Sequence, residues 1–315
     1  MRYAIFARAM IIRKRLRLDH AIRYSWKNIA YSSSCWALAY FTTHHPALTP
    51  LNIPNIVVGI LGTALAIILA FKNSSAYDRW WEARKIWGGV VNESRTLLRQ
   101  LQCYVEGEDP TEELRILGRA HIAWVNALKL QLRQITDPAR WKAEVYHYLR
   151  PELHAKVAAS SNKVTRIGHE QGNAVKALYS AASMEPHFLV QLDDTLTRLT
   201  SLQGAAERIR NTPLPRPYDY YTLAFLNIFI LFFPLGLIKD LDENMQFVLL
   251  PITIIASWIF FQIYIFGRVL SQPFQNYKTD VPLDAICRTI EIDVKEVLNE
   301  SVIPEPLAPV KGVIM

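Results

Sequence analysis

Three long runs of residues carry no charge, and they constrain the fold of this chain more than any other feature. The runs cover residues 51–71, 220–238 and 245–267. A helix rises about 1.5 Å per residue, so each run is about long enough to cross the roughly 30 Å hydrocarbon core of a bilayer. A buried helix of a soluble protein is the alternative for any one run, but three such runs in 315 residues favour membrane spans. The sequence therefore predicts an all-α integral membrane protein.

A fourth span is predicted upstream, at about residues 26–43, although its hydropathy alone is ambiguous. The stretch NIAYSSSCWALAYFTT (28–43) has no charge, but it contains three consecutive serines. Serine hydroxyls in a membrane helix can bond to the backbone or face a neighbouring helix. Because Pro46 and Pro50 predict a turn just before the run at 51–71, the two segments are expected to form a helical hairpin. The serines in question are Ser32, Ser33 and Ser34.

Basic residues predict the orientation in the membrane. Nearly all Lys and Arg lie in three segments, residues 1–25, 72–216 and 268–315. The two short loops between paired spans contain a single Lys or Arg, which is Lys239. The cluster RKRLR (13–17) is interpreted as membrane-flanking charge. By the positive-inside rule, both termini and the long middle segment are cytoplasmic, in a multi-pass protein of the inner (plasma) membrane. The net charge of +7 then reflects topology, so no nucleic-acid partner is expected.

The segment between the second and third spans is predicted to be helical. Apolar residues recur at three- and four-residue intervals in residues 92–106, 111–134 and 186–210. Thr111 marks a helix start, and prolines at 213, 215 and 217 end the last of these helices. Since no repeat and no Gly/Ser linker divides the chain, we expect one domain over residues 1–315, with a helical cytoplasmic bundle continuous with the membrane helices.

Motifs for catalysis or metal binding are missing from the sequence. There is no glycine-rich phosphate loop, no His-Glu-x-x-His and no Gly-x-Ser-x-Gly. The three cysteines, Cys35, Cys103 and Cys287, have neither a disulfide framework nor zinc spacing. His44 and His45 are adjacent in a predicted external loop, where a metal site would need further ligands. We therefore expect no enzyme activity, no cofactor and no metal site.

The second span carries two stripes that favour packing around an axis. One is a stripe of small residues at a spacing of four, which allows another helix to approach closely: Gly62, Ala66 and Ala70. The other lies about one hundred degrees away and ends at the cytoplasmic edge of the span: Thr63, Ile67 and Phe71. The alternative for this second stripe is ordinary contact with lipid.

Two segments connect the chain with a known family. NSSAYDRWWEARKIWG (73–88) follows the second span, and SQPF (271–274) and DVPLDAICRTIEID (280–293) follow the last. In this order, with four spans and a long helical middle, they resemble the bestrophin family in its prokaryotic and plant branch. The resemblance implies a homopentameric channel that conducts small monovalent ions through one pore on the fivefold axis. Its partners would be further copies of the chain and the lipid bilayer.

The resemblance also implies two narrow places in the pore. The family's neck is lined by apolar residues of the second helix, and its positions fall on Thr63, Ile67 and Phe71. Thr63 departs from the pattern, because bestrophin necks are usually apolar at all three levels. A cytoplasmic aperture is implied at about residues 184–188, with three candidates: Met184, His187 and Phe188. The alternative is that Met184 is an ordinary core residue and His187 a surface residue.

Calcium activation is not expected. Animal bestrophins continue the same Pro-Phe turn into a run of acidic residues that binds Ca²⁺, whereas QNYKTD (275–280) offers only Asp280. We therefore expect Asp280 to be a surface or capping residue.

The sign of the conducted ion stays open at this point. Animal members conduct chloride, but the prokaryotic branch includes cation-conducting members. Carboxylates at the external turn would favour cations if they face the pore: Asp240, Asp242 and Glu243.

Two interpretations of the segment after the neck are left open. Trp80 and Trp81 are expected where the helix docks onto the cytoplasmic bundle, and they form either an interfacial aromatic belt or packing between subunits. Glu82 is expected to pair with Lys85, one turn further on.

A different class of function is a membrane-anchored scaffold or sensor, whose helical cytoplasmic part binds a protein partner. Its spans would be anchors, and the second span would need no inward-facing stripe. A transporter is a third class, but broken and charged midplane helices are missing.

Overall fold

The computed structural model describes residues 18–45, 53–105, 111–180 and 184–309, and the regular structure within them is helical. The α-helices are α1 Leu18–His44, α2 Asn55–Tyr104, α3 Glu112–Leu132, α4 Pro138–Glu144, α5 Pro151–Ala159, α6 Lys163–Ser180, α7 Pro186–Asn211, α8 Arg216–Leu237, α9 Leu249–Leu270 and α10 Leu283–Val297. The prediction of an all-α chain is confirmed for these residues. The RKRLR cluster and the turn around Pro46 and Pro50 lie outside them.

Three of the described helical segments are long and apolar enough to cross a membrane: Asn55–Tyr104, Pro217–Asp240 and Gln246–Leu270. They contain most of each of the three uncharged runs of the sequence. The fourth predicted span lies within α1, whose capacity to cross a bilayer stays a prediction. The predicted helix at 92–106 does not begin anew, because α2 runs unbroken from Asn55 to Tyr104.

The chain divides into two compact units, each described here by itself. The span unit contains the described residues up to 79 together with 213–272, and the bundle unit contains residues 80–212 together with those from 273 on. Helix α2 contributes to both units, and the hypothesis of one domain stays a prediction.

The span unit is built from α1, the first half of α2, α8 and α9. One face of α2 contributes Val58, Leu65 and Leu69 to an apolar core. These side chains meet a set from the other helices: Cys35, Leu226, Phe229, Ile230 and Tyr264. Helices that cross a bilayer associate through close van der Waals packing and interhelical polar contacts, so this packing fixes which face of α2 points inward.

Polar contacts attach α1 to α9 within this unit. The Ser257 hydroxyl donates to Asn28 Oδ1 at 2.7 Å, and the Trp258 indole donates to Ser25 Oγ at 3.0 Å. The hydroxyls of Ser32 and Ser34 donate to backbone carbonyls of their own helix, at Ile29 and Ala30. Two serines of the fourth predicted span, Ser32 and Ser34, are thus satisfied in the way that its sequence suggested.

Helix α3 is the centre of the bundle unit. Thr111 caps it, since its hydroxyl accepts from the Leu114 amide at 3.3 Å, as the sequence predicted. Almost every residue from Leu117 to Leu132 is buried, and α6, α7 and α10 pack around it. A side chain at Gly118 would place its Cβ 2.8 Å from Leu298, so glycine is what allows the segment after α10 to lie this close.

A buried polar chain crosses the same core. The Gln171 amide nitrogen can only donate, so it fixes His121 Nδ1 as an acceptor at 3.0 Å. His121 Nε2 then carries the hydrogen and donates to Ser94 Oγ at 2.8 Å. The Ser94 hydroxyl donates to the Val90 carbonyl. Burial lowers the pKa of His121 to about 4, so the ring is neutral at physiological pH.

Candidate functional site

The first half of α2 has one buried face and one exposed apolar face. The buried face consists of residues that pack inside the span unit: Val58, Leu65, Leu69, Lys72 and Ala76. On the opposite face Ile67 is 52% and Phe71 67% exposed, continuing a row that begins with Ile56 and Ile60. Thr63 is exposed in the same row, and its hydroxyl donates to the Gly59 carbonyl at 2.9 Å. All three predicted neck residues therefore point away from the core of their own subunit.

The small-residue stripe does not act as a unit within one chain. A Cβ at Gly62 would lie 3.0 Å from the ring of Phe229, so this glycine allows α8 to approach α2 closely. Ala66 and Ala70 are exposed. A role for these two alanines in packing against another helix stays a prediction.

An ion pair lies immediately after Phe71. Lys72 Nζ donates to Asp219 Oδ1 of α8 at 2.5 Å, and the Lys72 side chain is 3% exposed. Tyr264 of α9 completes the contact, with its ring centroid 4.0 Å from the ammonium and its hydroxyl 3.1 Å from Asp219 Oδ2. The pair joins α2, α8 and α9 one residue beyond the exposed stripe. Sequence analysis missed it, because a lysine at the end of an apolar run is typical of a solvated helix end.

In the following turns of α2, two side chains contact the backbone at the end of α9 within the span unit. A Cβ at Gly267 would lie 2.8 Å from Asn73 Oδ1, so α9 passes close to α2 at this level. The Arg79 guanidinium donates through Nε to the Ser271 carbonyl at 2.8 Å. The arginine of the RWWE motif thus ties α2 to the end of α9.

In the bundle unit, Trp80 and Trp81 have different surroundings. The Trp80 indole donates to the Thr279 carbonyl at 2.8 Å, in the turn between α9 and α10. Trp81 is 46% exposed, and its role stays a prediction. The expected pair of Glu82 with Lys85 is wrong, since Glu82 Oε1 accepts from Arg208 of α7. An ion pair between residues one turn apart on a helix stabilises little, so Glu82 pairs with an arginine of another helix instead.

Asp280 is buried in the turn that follows the last span. Only 3% of it is exposed, and its Oδ2 accepts from the Tyr277 amide at 3.0 Å, whereas Oδ1 has no hydrogen-bond partner. The expectation of a surface residue is wrong, although the contact with Tyr277 is of the capping kind. Burial raises the pKa of Asp280 to about 7, against the opposing effect of the backbone amides and of Arg133. No cluster of ligands for a metal ion occurs among the described residues.

The residues predicted to form the cytoplasmic aperture differ in their exposure. Met184 is buried in the core of the bundle unit, and Phe188 stacks on Tyr104 at a centroid distance of 4.0 Å. His187 is exposed, with Nδ1 3.2 Å from Glu185 Oε2. Val190 of α7, which sequence analysis did not name, is 68% exposed. The sequence alone does not show that this valine is exposed, so it gave no reason to name the residue.

The carboxylates of the turn predicted to be external are exposed. Asp240 ends a short 3₁₀ helix, and the Asp242 carbonyl accepts from the amides of Met245 and Gln246. The side chains of Asp240, Asp242 and Glu243 all face solvent in the single chain.

Comparison with known proteins gives consistent matches. The profile of the family described as "Bacterial/Fungal Bestrophin protein" matches residues 25–296. The voltage-dependent anion channel-forming protein YneE of Escherichia coli (strain K12) is 32% identical over 251 residues, which are 79% of each chain. The voltage-dependent anion channel-forming protein mll4386 of Mesorhizobium japonicum is 33% identical over 243 residues, 77% of this chain and 75% of that protein.

The fold is likewise similar to a solved structure. The crystal structure of a bacterial Bestrophin homolog from Klebsiella pneumoniae superposes with a TM-score of 0.80 at 28% identity, covering 87% of this chain and 98% of that chain. The profile match includes the RWWE and SQPF segments from which the resemblance was inferred, and that inference is confirmed. The chain belongs to the bacterial/fungal bestrophin family.

Proposed function

We propose that the protein is an ion channel, in which copies of the chain surround one pore and α2 lines its neck. The observation that carries the proposal is the exposed apolar row on α2, ending in Ile67 and Phe71, on a helix whose other face is buried. Relatives named as anion channel-forming proteins support a channel. The names of both relatives describe channel formers.

The proposed assembly is a homopentamer with four membrane helices per subunit. In this arrangement Thr63, Ile67 and Phe71 each form a ring of five around the axis. An apolar constriction resists wetting, so it limits conduction without binding the ion. Thr63 weakens the barrier little, because its hydroxyl is already bonded to the backbone of its own helix.

In the proposed topology the channel lies in the plasma membrane, and both termini and the bundle unit lie in the cytoplasm. It is supported by the distribution of Lys and Arg, which flank the described spans on one side. Channel opening is proposed to be independent of Ca²⁺, since Asp280 supplies one buried carboxylate and calcium needs six to eight oxygen ligands.

A second constriction is proposed in the bundle, near the start of α7. Met184 is buried within one copy, so the side chains available to such an aperture are His187 and, one turn on, Val190. Phe188, stacked on Tyr104, would hold this helix end in place.

Reconstitution into liposomes tests the proposal. Purified protein is expected to form pentamers and to release entrapped monovalent salt without any added partner. Folded pentamers that show no flux at any voltage or pH would contradict the channel and favour a membrane-anchored scaffold.

A further inference from the structure

Asp78 lies on the same face of α2 as the proposed neck. A helix turns about 100° per residue, so seven residues amount to about 700°, only about 20° short of two full turns. Asp78 follows Phe71 by this interval, and its direction falls between those of Ile67 and Phe71. Its carboxylate therefore lies about 10 Å beyond Phe71 along the helix, on the side toward the cytoplasm in the proposed topology.

Asp78 is also the charged residue of this segment whose side chain remains exposed to solvent. The part of α2 in the span unit contains two other charged residues, Lys72 and Arg79. Lys72 is buried against Asp219, and Arg79 is half-buried and donates to the Ser271 carbonyl. Asp78 is exposed, and among the described residues it has no hydrogen bond or ion pair. The two cations near the end of the neck are thus directed into the subunit, whereas the carboxylate is directed away from it.

We propose that Asp78 determines the sign of the conducted ion, by forming a ring of carboxylates at the cytoplasmic end of the neck that favours monovalent cations. The inference rests on the proposed function, because it requires α2 to line a symmetric pore. At physiological ionic strength the Debye length is about 8 Å, so carboxylates about 10 Å from Phe71 still act on an ion that leaves the neck. Five such charges around one axis add their potentials and raise the local cation concentration where the path is narrow.

The carboxylates of the external turn are the competing source of selectivity. Asp240, Asp242 and Glu243 sit in a solvated turn, which screens their charge more strongly than a narrow path would. The two sources predict different variants to change the permeability ratio.

Reversal potentials in asymmetric KCl, measured on reconstituted protein, test the inference. The wild type is expected to prefer K⁺ over Cl⁻. Asp78→Asn should lower the K⁺ to Cl⁻ permeability ratio by about three- to ten-fold, as expected for a ring of unit charges screened by water and salt. Asp78→Lys should reverse the preference. The effect of Asp78→Asn should shrink as the salt concentration rises. Glu305→Gln, which removes an exposed carboxylate far from α2 in sequence, is the matched control and should leave the ratio unchanged.

Two kinds of result would overturn the inference. A wild type that prefers Cl⁻, or a ratio that is unchanged in Asp78→Asn but falls in the triple variant D240N/D242N/E243Q, would show that Asp78 does not set the sign. Absence of current from the wild type would instead remove the proposed function, and the inference with it. If current persists and the permeability ratio does not depend on Asp78, the selectivity ring is rejected and the proposed channel function is kept.

Discussion

Lys72 and Asp219 form a buried ion pair one residue beyond Phe71, with Tyr264 covering the ammonium. The contact turns the single lysine of the first half of α2 away from the exposed apolar row. It therefore fixes the rotation of the helix at the level where the proposed neck ends.

Replacing Lys72 by Met should destabilise the protein and disturb conduction. The change removes the nearer of the two cations of Asp219, since Arg268 Nε stays 3.9 Å from its Oδ2, and loss of one partner of a buried pair costs about 3–5 kcal/mol. Because Asp219 is 39% exposed, we expect a smaller cost, about 2 kcal/mol. Thermal unfolding in detergent measures it. The double variant Lys72→Met/Asp219→Leu should recover part of the loss, and Lys176→Met, at an exposed lysine, should have no effect. Equal unfolding temperatures for Lys72→Met and wild type would contradict the role of the pair.

Shortening the neck side chains should increase ion flux. Ile67→Ala and Phe71→Ala each remove apolar surface from a ring whose barrier is the cost of wetting it, so several-fold higher flux is expected. Liposome efflux and single-channel recording measure the change. Ile259→Ala, at an exposed isoleucine of α9, is the matched control and should conduct like wild type. Unaltered conduction by folded Ile67→Ala and Phe71→Ala pentamers would mean that the row faces lipid.

Acid should destabilise the bundle unit through His121. Its pKa in the folded protein is about 4, below the ordinary value of 6.5, so below pH 6.5 the unfolded chain binds a proton that the folded chain does not. Stability is therefore full above pH 6.5 and is lost as the pH falls toward 4, by about 3 kcal/mol in all. Unfolding temperatures between pH 4 and 8 measure the slope.

The matching variant is His121→Gln. It should be less stable at pH 8, because the chain from Gln171 to Ser94 is disturbed, but its acid slope should be shallower than that of the wild type. An identical slope in both proteins would assign acid sensitivity to other groups.

Asp280 should act in the opposite direction. Its pKa is raised from 3.8 to about 7, so stability is full below pH 3.8 and is lost as the pH rises to 7. Asp280→Asn keeps the shape of the side chain without the charge. It should raise the unfolding temperature at pH 8, by the equivalent of about 1–3 kcal/mol, and leave it nearly unchanged at pH 4.

Calcium provides a separate readout at the same residue. Chelation, or addition of millimolar Ca²⁺, should change neither the unfolding temperature nor the open probability. A Ca²⁺ response that disappears in Asp280→Asn would show that this carboxylate binds the ion after all.

Cysteine accessibility should locate the cytoplasmic aperture. Cysteines at positions 184 to 190, in a background without Cys103 and Cys287, are treated with a charged thiol reagent during current recording. Block is expected at His187 or Val190, which are exposed, and not at Met184, which is buried. Thr200→Cys, at an exposed position further along α7, is the control for modification without block. Modification without loss of current at every position would place the aperture elsewhere.

Local patterns predicted much of this fold, but few of its polar contacts. The spans, the start of α3 at Thr111 and the start of α7 at Pro186 follow from uncharged runs, caps and prolines, which are properties of neighbouring residues. The exposed row of Thr63, Ile67 and Phe71 follows from the helical period in the same way.

The misplaced residues all depend on partners that are distant in sequence. Lys72 is buried only because Asp219 and Tyr264 come from two later helices. Asp280 lies in a turn whose burial is set by packing, and not by the composition of QNYKTD. A charged residue without a visible local partner is typical of a solvated surface or a cap, so local patterns do not predict the burial of either residue.

The position of α3 also has a consequence for how the chain is made. Its apolar surface is covered in part by α10, which lies beyond the last two spans in the sequence. At a synthesis rate of about 5–20 residues per second, α10 is made roughly 8 to 30 seconds after α3 leaves the ribosome. In the proposed topology α8 and α9 enter the bilayer during that interval, while α3 still lacks part of its cover. Biogenesis thus depends on membrane insertion keeping pace with translation, and chains stalled before residue 283 are the form most exposed to aggregation or proteolysis.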